Sequence, residues 1–173
     1  HVNRHDPALE REEALINRRI PASKDFIAKN NINEVMYNPN DKEIGIIAVG
    51  KAATETIDAF NTIGIKSPHK KGVGLFACKV PWPLINQEII EFCKGYKEII
   101  VIEEKAGIVE EQIAHILFND KKRPLLSGKN DAISNEPLIP KTSELSSDII
   151  ADCLLKKLPP QLTESVVPVV KSV

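Results

Sequence analysis

Three short, almost unbroken apolar runs occupy the middle of this chain: EIGIIAVG (43–50), VGLFACKV (73–80) and EIIVIEE (98–104). A strand that is apolar at successive rather than alternate positions has to be covered on both faces. Between and after the runs, apolar residues recur at helical spacing: first Ala53, Ile57, Phe60 and Ile63, then Ile89, Phe92 and Cys93, then Val109, Ile113, Ile116 and Leu117. Strand followed by helix, repeated at this spacing, predicts an α/β fold with a mostly parallel sheet and helices on both sides.

Local signals mark the ends of these elements. Gly64 followed by Ile65 reads as a glycine C-cap with a hydrophobic follower, and Gly95–Tyr96 repeats that pattern. Asn86 is the expected N-cap of the second helix, with Glu88 in its first turn. NEVMYN (33–38) reads as a short strand ahead of the first run, and RPLLSG (123–128) as a short edge strand after the third. Residues 129–142 are loop-like. ELSSDIIADCLLKKL (144–158) is a final helix, with Ser146 as N-cap and Leu145 and Ile150 at hydrophobic-staple spacing. The organisation expected is a lead-in arm with short helices over 1–30, a domain over 31–158 and a tail or linker over 159–173. Pro21 is expected to break the arm, with Ser23 capping the helix after it. The chain opens HVNRHD without a methionine, and its single methionine is Met36, which points to a piece excised from a longer polypeptide.

The chemistry absent from the sequence is informative. No G-x-G-x-x-G follows a strand, and neither G-x-x-x-x-G-K-[ST] nor G-x-S-x-G occurs. The net charge of −1 gives no general attraction to nucleic acid or an acidic membrane. No apolar run approaches the length of about 18 residues that a membrane span needs. Cys78, Cys93 and Cys153 are far apart and form no C-x-x-C, so they read as buried free thiols in a reducing cytosol. His1, His5, His69 and His115 do not cluster, and His115 is expected at the surface or its boundary rather than as a ligand. KSPHKKG (66–72) reads as a solvated basic loop.

The charges that remain lie where the apolar runs stop. In an open parallel sheet, ligands and partners meet the carboxyl ends of the strands where strand order reverses. Lys51, Lys79–Pro81 and Glu103–Glu104–Lys105 all fall at such ends. Paired acids there can transfer protons, but no nucleophile, metal cluster or phosphate cradle accompanies them. A carboxylate–lysine network facing another domain needs fewer assumptions. Pro81 and Pro83 flank the only tryptophan, Trp82, and are expected to hold an extended, stiff segment. The indole is then a packing anchor, either within the domain or at an interface.

Several stretches carry a family resemblance: RHDPALEREE, GIIAVGKA, ACKVPWPL, IIVIEEKAGIVEEQIAHIL, KRPLLSGK and ELSSDIIADCL. In this order they resemble the internal transketolase C-terminal-like domain (domain II) of indolepyruvate ferredoxin oxidoreductases. Those enzymes belong to the thiamine-diphosphate-dependent 2-oxoacid:ferredoxin oxidoreductases. The resemblance runs from about residue 4 to about residue 158. It implies a three-layer α/β/α domain with five strands in the order 1-3-2-4-5, the first antiparallel to the rest. It also implies a parent enzyme that decarboxylates an arylpyruvate with thiamine diphosphate and Mg, passes electrons through 4Fe-4S clusters to ferredoxin and hands the acyl group to coenzyme A. The family's diphosphate motif and cluster cysteines are not in this chain, so the resemblance places no catalytic, cofactor or metal residue here. The implied partners are the other domains or subunits of the parent enzyme, met through Lys51, Lys79, Pro81, Trp82, Pro83, Glu103, Glu104 and Lys105. The rival readings are the C-terminal domain of another thiamine-dependent enzyme, such as a transketolase or 2-oxoacid dehydrogenase, and a free-standing flavodoxin-like binding module.

Overall fold

Alternate side chains of each apolar run point to opposite faces, and both faces are covered. The computed structural model describes residues 7–159 and residue 162. Five strands, β1 (Glu34–Tyr37), β2 (Ile44–Val49), β3 (Val73–Cys78), β4 (Glu98–Ile102) and β5 (Leu125–Ser127), form one sheet in the order β1-β3-β2-β4-β5. β1 pairs antiparallel with β3, and the other pairs are parallel. Order and direction are those implied by the resemblance.

On one face, Ile44, Ile46, Leu75 and Ile100 pack beneath α3 (Ala52–Thr62) and α6 (Ser147–Lys157), against Phe60, Ile150 and Leu154. On the other, Ile47, Phe76, Ile99 and Val101 pack beneath α4 (Asn86–Cys93) and α5 (Ile108–Leu117), against Phe92, Val109 and Ile113. Strand order reverses between β2 and β4, because β3 lies on one side of β2 and β4 on the other. The crevice expected from the sequence therefore opens at the carboxyl ends of these two strands.

Several local expectations hold. Gly64 takes φ +74°, its N–H bonds the Asn61 carbonyl and the Ile65 N–H bonds the Phe60 carbonyl, which together make a Schellman ending. Ser146 accepts the Ile149 N–H, and Leu145 and Ile150 are both buried. Cys78, Cys93 and Cys153 are free and buried, and His115 is exposed.

Others are corrected. Pro21 does not break the arm. α1 (Ala8–Ala14), a π-helical turn (Leu15–Arg19) and α2 (Ile20–Lys29) run on as one helix. The wider π turn just before Pro21 relieves the clash between its ring and the carbonyl four residues back. Ser23 therefore lies inside a helix, where its hydroxyl donates to the Arg19 carbonyl. Asn86 is the first helical residue of α4 rather than its cap; Ile85 holds the cap position and no side chain bonds there. Gly95 has φ +90°, but the Tyr96 N–H bonds the Cys93 carbonyl, so the second glycine makes a tighter ending than the first. The tail lies outside the described residues apart from Pro159 and Leu162, as do His1 and His5.

A buried polar group fastens α6 to the sheet. The Lys157 ammonium, at the helix end, pairs with Glu98 at 2.7 Å and with Asp131. Ser127 donates its hydroxyl to Glu98 and accepts the Ala132 N–H. Lys157, together with the Ser134 and Ile133 amides, holds the Asp131 carboxyl well below its ordinary value of 3.8. Burial pulls the Lys157 ammonium down, but the two carboxylates outweigh it and leave it above 10.5. A depressed carboxyl stabilises the fold above its unfolded pKa and loses that contribution as pH falls through the folded one. Wild type is therefore expected to lose about 1 kcal/mol more than Asp131→Asn between about pH 5 and pH 2. Urea midpoints of both proteins at the two pH values check this; parallel losses count against it.

Candidate functional site

The carboxyl ends of β2, β3 and β4 bring the candidate residues to one rim, where most of them bond within the chain. Glu103, immediately after β4, is only 4% exposed. Its two oxygens accept the Val109 and Glu110 N–H groups, each at 2.9 Å. These are among the first amides of α5, which have no partner within the helix. A carboxylate there also meets the positive end of the helix dipole. Glu103 thus seals the helix terminus that faces the switch point, a position where many α/β folds bind phosphate.

Glu104 and Lys105 are exposed and hold the segment that crosses the crevice. Glu104 accepts the Leu145 N–H at 3.1 Å, and the Lys105 ammonium donates to the Ser143 carbonyl at 3.1 Å. Both ends of that second tie have left-handed backbone, φ +59° at Lys105 and +70° at Ser143. Lys51 bonds Glu144 on the same segment and lies 3.4 Å from Glu55. Glu144 raises the Lys51 pKa, and Lys51 in turn lowers that of Glu144.

One rim residue has no signal in the sequence. Lys129 follows β5 and is 6% exposed. Its ammonium donates to the Glu103 carbonyl and, at 3.3 Å, to that of Pro140. Burial pushes its pKa down, against the pull of Glu103 and Glu110. A lysine after a glycine reads as surface in any sequence, and only the fold of the loop over it makes it a buried tie.

The third corner lies beyond β3. Lys79 pairs with Glu34 at 3.0 Å, both side chains being exposed. The Lys79 and Val80 amides donate to the Asn33 side-chain oxygen, and the Asn33 amide donates to Glu88. Gln112 on α5 donates to the Pro81 carbonyl at 2.8 Å and accepts the Leu84 N–H at 3.3 Å. Asn33 and Gln112 thereby grip both ends of the proline segment, and neither stands out in the sequence. The segment bends at Trp82 and Pro83 rather than running extended, and the Trp82–Pro83 peptide is cis. The Trp82 indole is 58% exposed, so it is no internal anchor. It lines an open groove of about 590 Å³ with Ile20, Pro83, Ile108 and Ile116.

The structure thus gathers Lys51, Glu103, Glu104 and Lys105 into one network with Lys129 and Glu144, and sets Lys79, Pro81, Trp82 and Pro83 at a separate corner. Within the network no side-chain nucleophile meets a base. Burial raises the Cys78 thiol to about 12, with Glu103 and Glu88 adding to the shift, and burial likewise raises Cys93 to about 12. Among the described residues, no group of three or more His, Cys, Asp or Glu could hold a metal ion, and no helix is long and apolar enough to cross a membrane.

The chain is 26% identical over 119 residues to the indolepyruvate oxidoreductase subunit IorA of Methanothermobacter marburgensis, and 28% identical to that of Methanothermobacter thermautotrophicus. Each match covers 69% of this chain but only 18% of the relative, so the chain spans about a fifth of the length of these proteins. Among solved structures, an inactive β4 tetramer of a split-gene transketolase is similar over 76% of this chain and 42% of its own, at 14% identity and a TM-score of 0.49. Residues 34–166, which contain all five strands, both covered faces and the whole rim, match the family model for the indolepyruvate oxidoreductase domain, and the chain belongs to that family.

Proposed function

We propose that this chain is a non-catalytic packing domain of an indolepyruvate:ferredoxin oxidoreductase and docks against other domains or subunits of that enzyme. On this reading the complete enzyme, in the cytoplasm, oxidatively decarboxylates arylpyruvates to acyl-CoA. Thiamine diphosphate, magnesium and 4Fe-4S clusters do the chemistry elsewhere in it, and ferredoxin takes the electrons.

The observation that carries this reading is the Glu103 carboxylate on the first amides of α5. It puts negative charge where a diphosphate would need donors. The described residues fit the other groups no better. Cys78 and Cys93 lie in the core on one face of the sheet and Cys153 in the core on the other, so the three cannot ligate one cluster. Lys51, Lys105 and Lys129 already bond within the chain. Calorimetry of the chain with thiamine diphosphate and magnesium is expected to give no binding heat.

Docking is assigned to the Trp82 corner and the exposed outer parts of Lys51, Lys79, Glu104 and Lys105. A large indole gripped at a fixed angle and left in water is the kind of residue that anchors an interface. Trp82→Ala in the complete enzyme is expected to weaken domain or subunit association by about tenfold. In the isolated chain it should shift stability by less than about 0.5 kcal/mol, because the side chain is exposed. Unchanged assembly and turnover in the complete enzyme would reject the docking role.

A further inference from the structure

We propose that the free edge of β1, with the acidic groove beside it, takes up a short extended segment of a partner protein that carries two basic residues. The inference is independent of the role given to Trp82. β1 ends the sheet, so among the described residues its outer side pairs with no strand. Its outward N–H and C=O groups recur at the strand repeat, and another extended backbone matches that repeat. The edge also lacks the usual guards against such pairing. Glu34–Tyr37 contains no lysine and no proline, and Val35 and Met36 are 47% and 37% exposed. The pairing of β1 with β3 slips between Val35 and Tyr37, which keeps the regular edge short and suits it to a short segment.

The groove identifies the charge of the occupant. It is open, has a volume of about 770 Å³ and lies between β1 and α4, with Val35, Phe76 and Phe92 among its lining residues. α4 is the crossover from β3 to β4, so it returns against β3 and runs along β1. Glu88 and Glu91 on α4 form the wall. The Asn33 amide holds Glu88 at 2.8 Å, and Gln87 holds Glu91 at 3.0 Å, but among the described residues neither carboxylate is in an ion pair. Each keeps acceptor capacity for a further donor. The other charges at the groove are engaged: Glu34 pairs with Lys79, and the Lys42 ammonium donates to the Lys94 carbonyl and lies over the Tyr96 ring. Basic residues two apart in an extended segment lie on one face about 6.8 Å apart, a spacing that serves two carboxylates one helical turn apart. A second copy is disfavoured. The two-fold axis of an antiparallel strand pair is perpendicular to the sheet, so a copy pairing through β1 would turn its own Glu88 and Glu91 toward these from the same face.

Titration of the full chain with the blocked peptide acetyl-Thr-Arg-Val-Arg-Thr-amide, followed by NMR of the backbone amides, tests this. Saturable shifts are expected at Val35, Met36 and Tyr37 and at Glu88 and Glu91. The same peptide with glutamate in place of both arginines should bind at least about tenfold more weakly. Glu91→Lys, a change at an exposed position, should weaken the arginine peptide and strengthen the glutamate one. Strand pairing is read separately, because the N–H groups of successive residues in a strand point to opposite sides. N-methylation of the valine and N-methylation of both arginines should therefore differ, one costing at least about tenfold and the other far less. No saturable shift up to the solubility of the peptide overturns the proposal. Equal effects of the two methylations, or arginine amide alone binding as tightly as the peptide, overturn it by showing a site for a cation rather than for a strand. Exchange protection of outward β1 amides in the chain without peptide also overturns it: the edge would then be taken by the chain itself or, if sedimentation shows a dimer, by a second copy.

Discussion

Glu103→Ala is expected to cost about 3 kcal/mol of folding stability. The carboxylate is buried and bonds two amides of α5. Its loss leaves both N–H groups without this acceptor, that of Val109 buried and that of Glu110 part-buried, and an unmet buried group costs about 1–3 kcal/mol. It also removes the carboxylate that acts most strongly on Lys129, whose ammonium would remain buried on two carbonyls. Relaxation of the first turn of α5 recovers part of the sum. Glu103→Gln keeps one acceptor and loses the charge, so about half the cost is expected. Urea unfolding gives the stabilities, and amide exchange at Val109 and Glu110 gives the location: both should exchange faster in the alanine variant, with the strand amides ordered as in wild type. If alanine is tolerated to within about 0.5 kcal/mol, Glu103 is not what holds this helix terminus.

Gly74→Ala should cost a similar amount, about 3 kcal/mol, for a steric reason. Gly45 and Gly74 are paired neighbours on β2 and β3, and the Tyr96 ring lies across both. A methyl carbon at Gly74 would stand 2.7 Å from the ring carbon bearing the hydroxyl and closer still to its oxygen, with the Tyr37 carbonyl at 3.2 Å on another side. Tyr96 has little room to retreat, since the Phe92 ring is 5.3 Å away centre to centre and the Lys42 ammonium is 4.8 Å from its own centre. Among the described residues the Tyr96 hydroxyl has no hydrogen-bond partner, and burial raises its pKa to about 12. Tyr96→Phe alone should therefore be neutral or stabilise by up to about 1 kcal/mol. In the Gly74→Ala background it should return about 1 kcal/mol more than it does in wild type, because it removes the atom closest to the new methyl. A double-mutant cycle from urea midpoints measures that coupling. Additive effects would show that the ring does not fill the slot as described.

The sheet was legible in the sequence because its cause is local. A run such as EIGIIAVG is apolar at every position, which only a strand covered on both faces can satisfy, and the helical spacing between runs leaves few ways to connect them. The Gly64–Ile65 ending and the Ser146 cap were legible for the same reason, each being a few residues satisfying one another. Pro21 and Asn86 misled because a residue preference is weak against what surrounds it: a π turn makes room for the ring, and the amides at the start of α4 find no partner in Asn86. The strand-end charges show the boundary most clearly. Position alone placed Glu103, Glu104 and Lys105 at the switch point. Their partners, the α5 amides, Leu145 and Ser143, are 6, 41 and 38 residues away, and Lys129 joins them from 26 residues off. A hydrogen bond depends on distance in space, so whether a carboxylate at a strand end meets water, a ligand or a helix terminus was decided only when β4, α5 and the loop before α6 packed together.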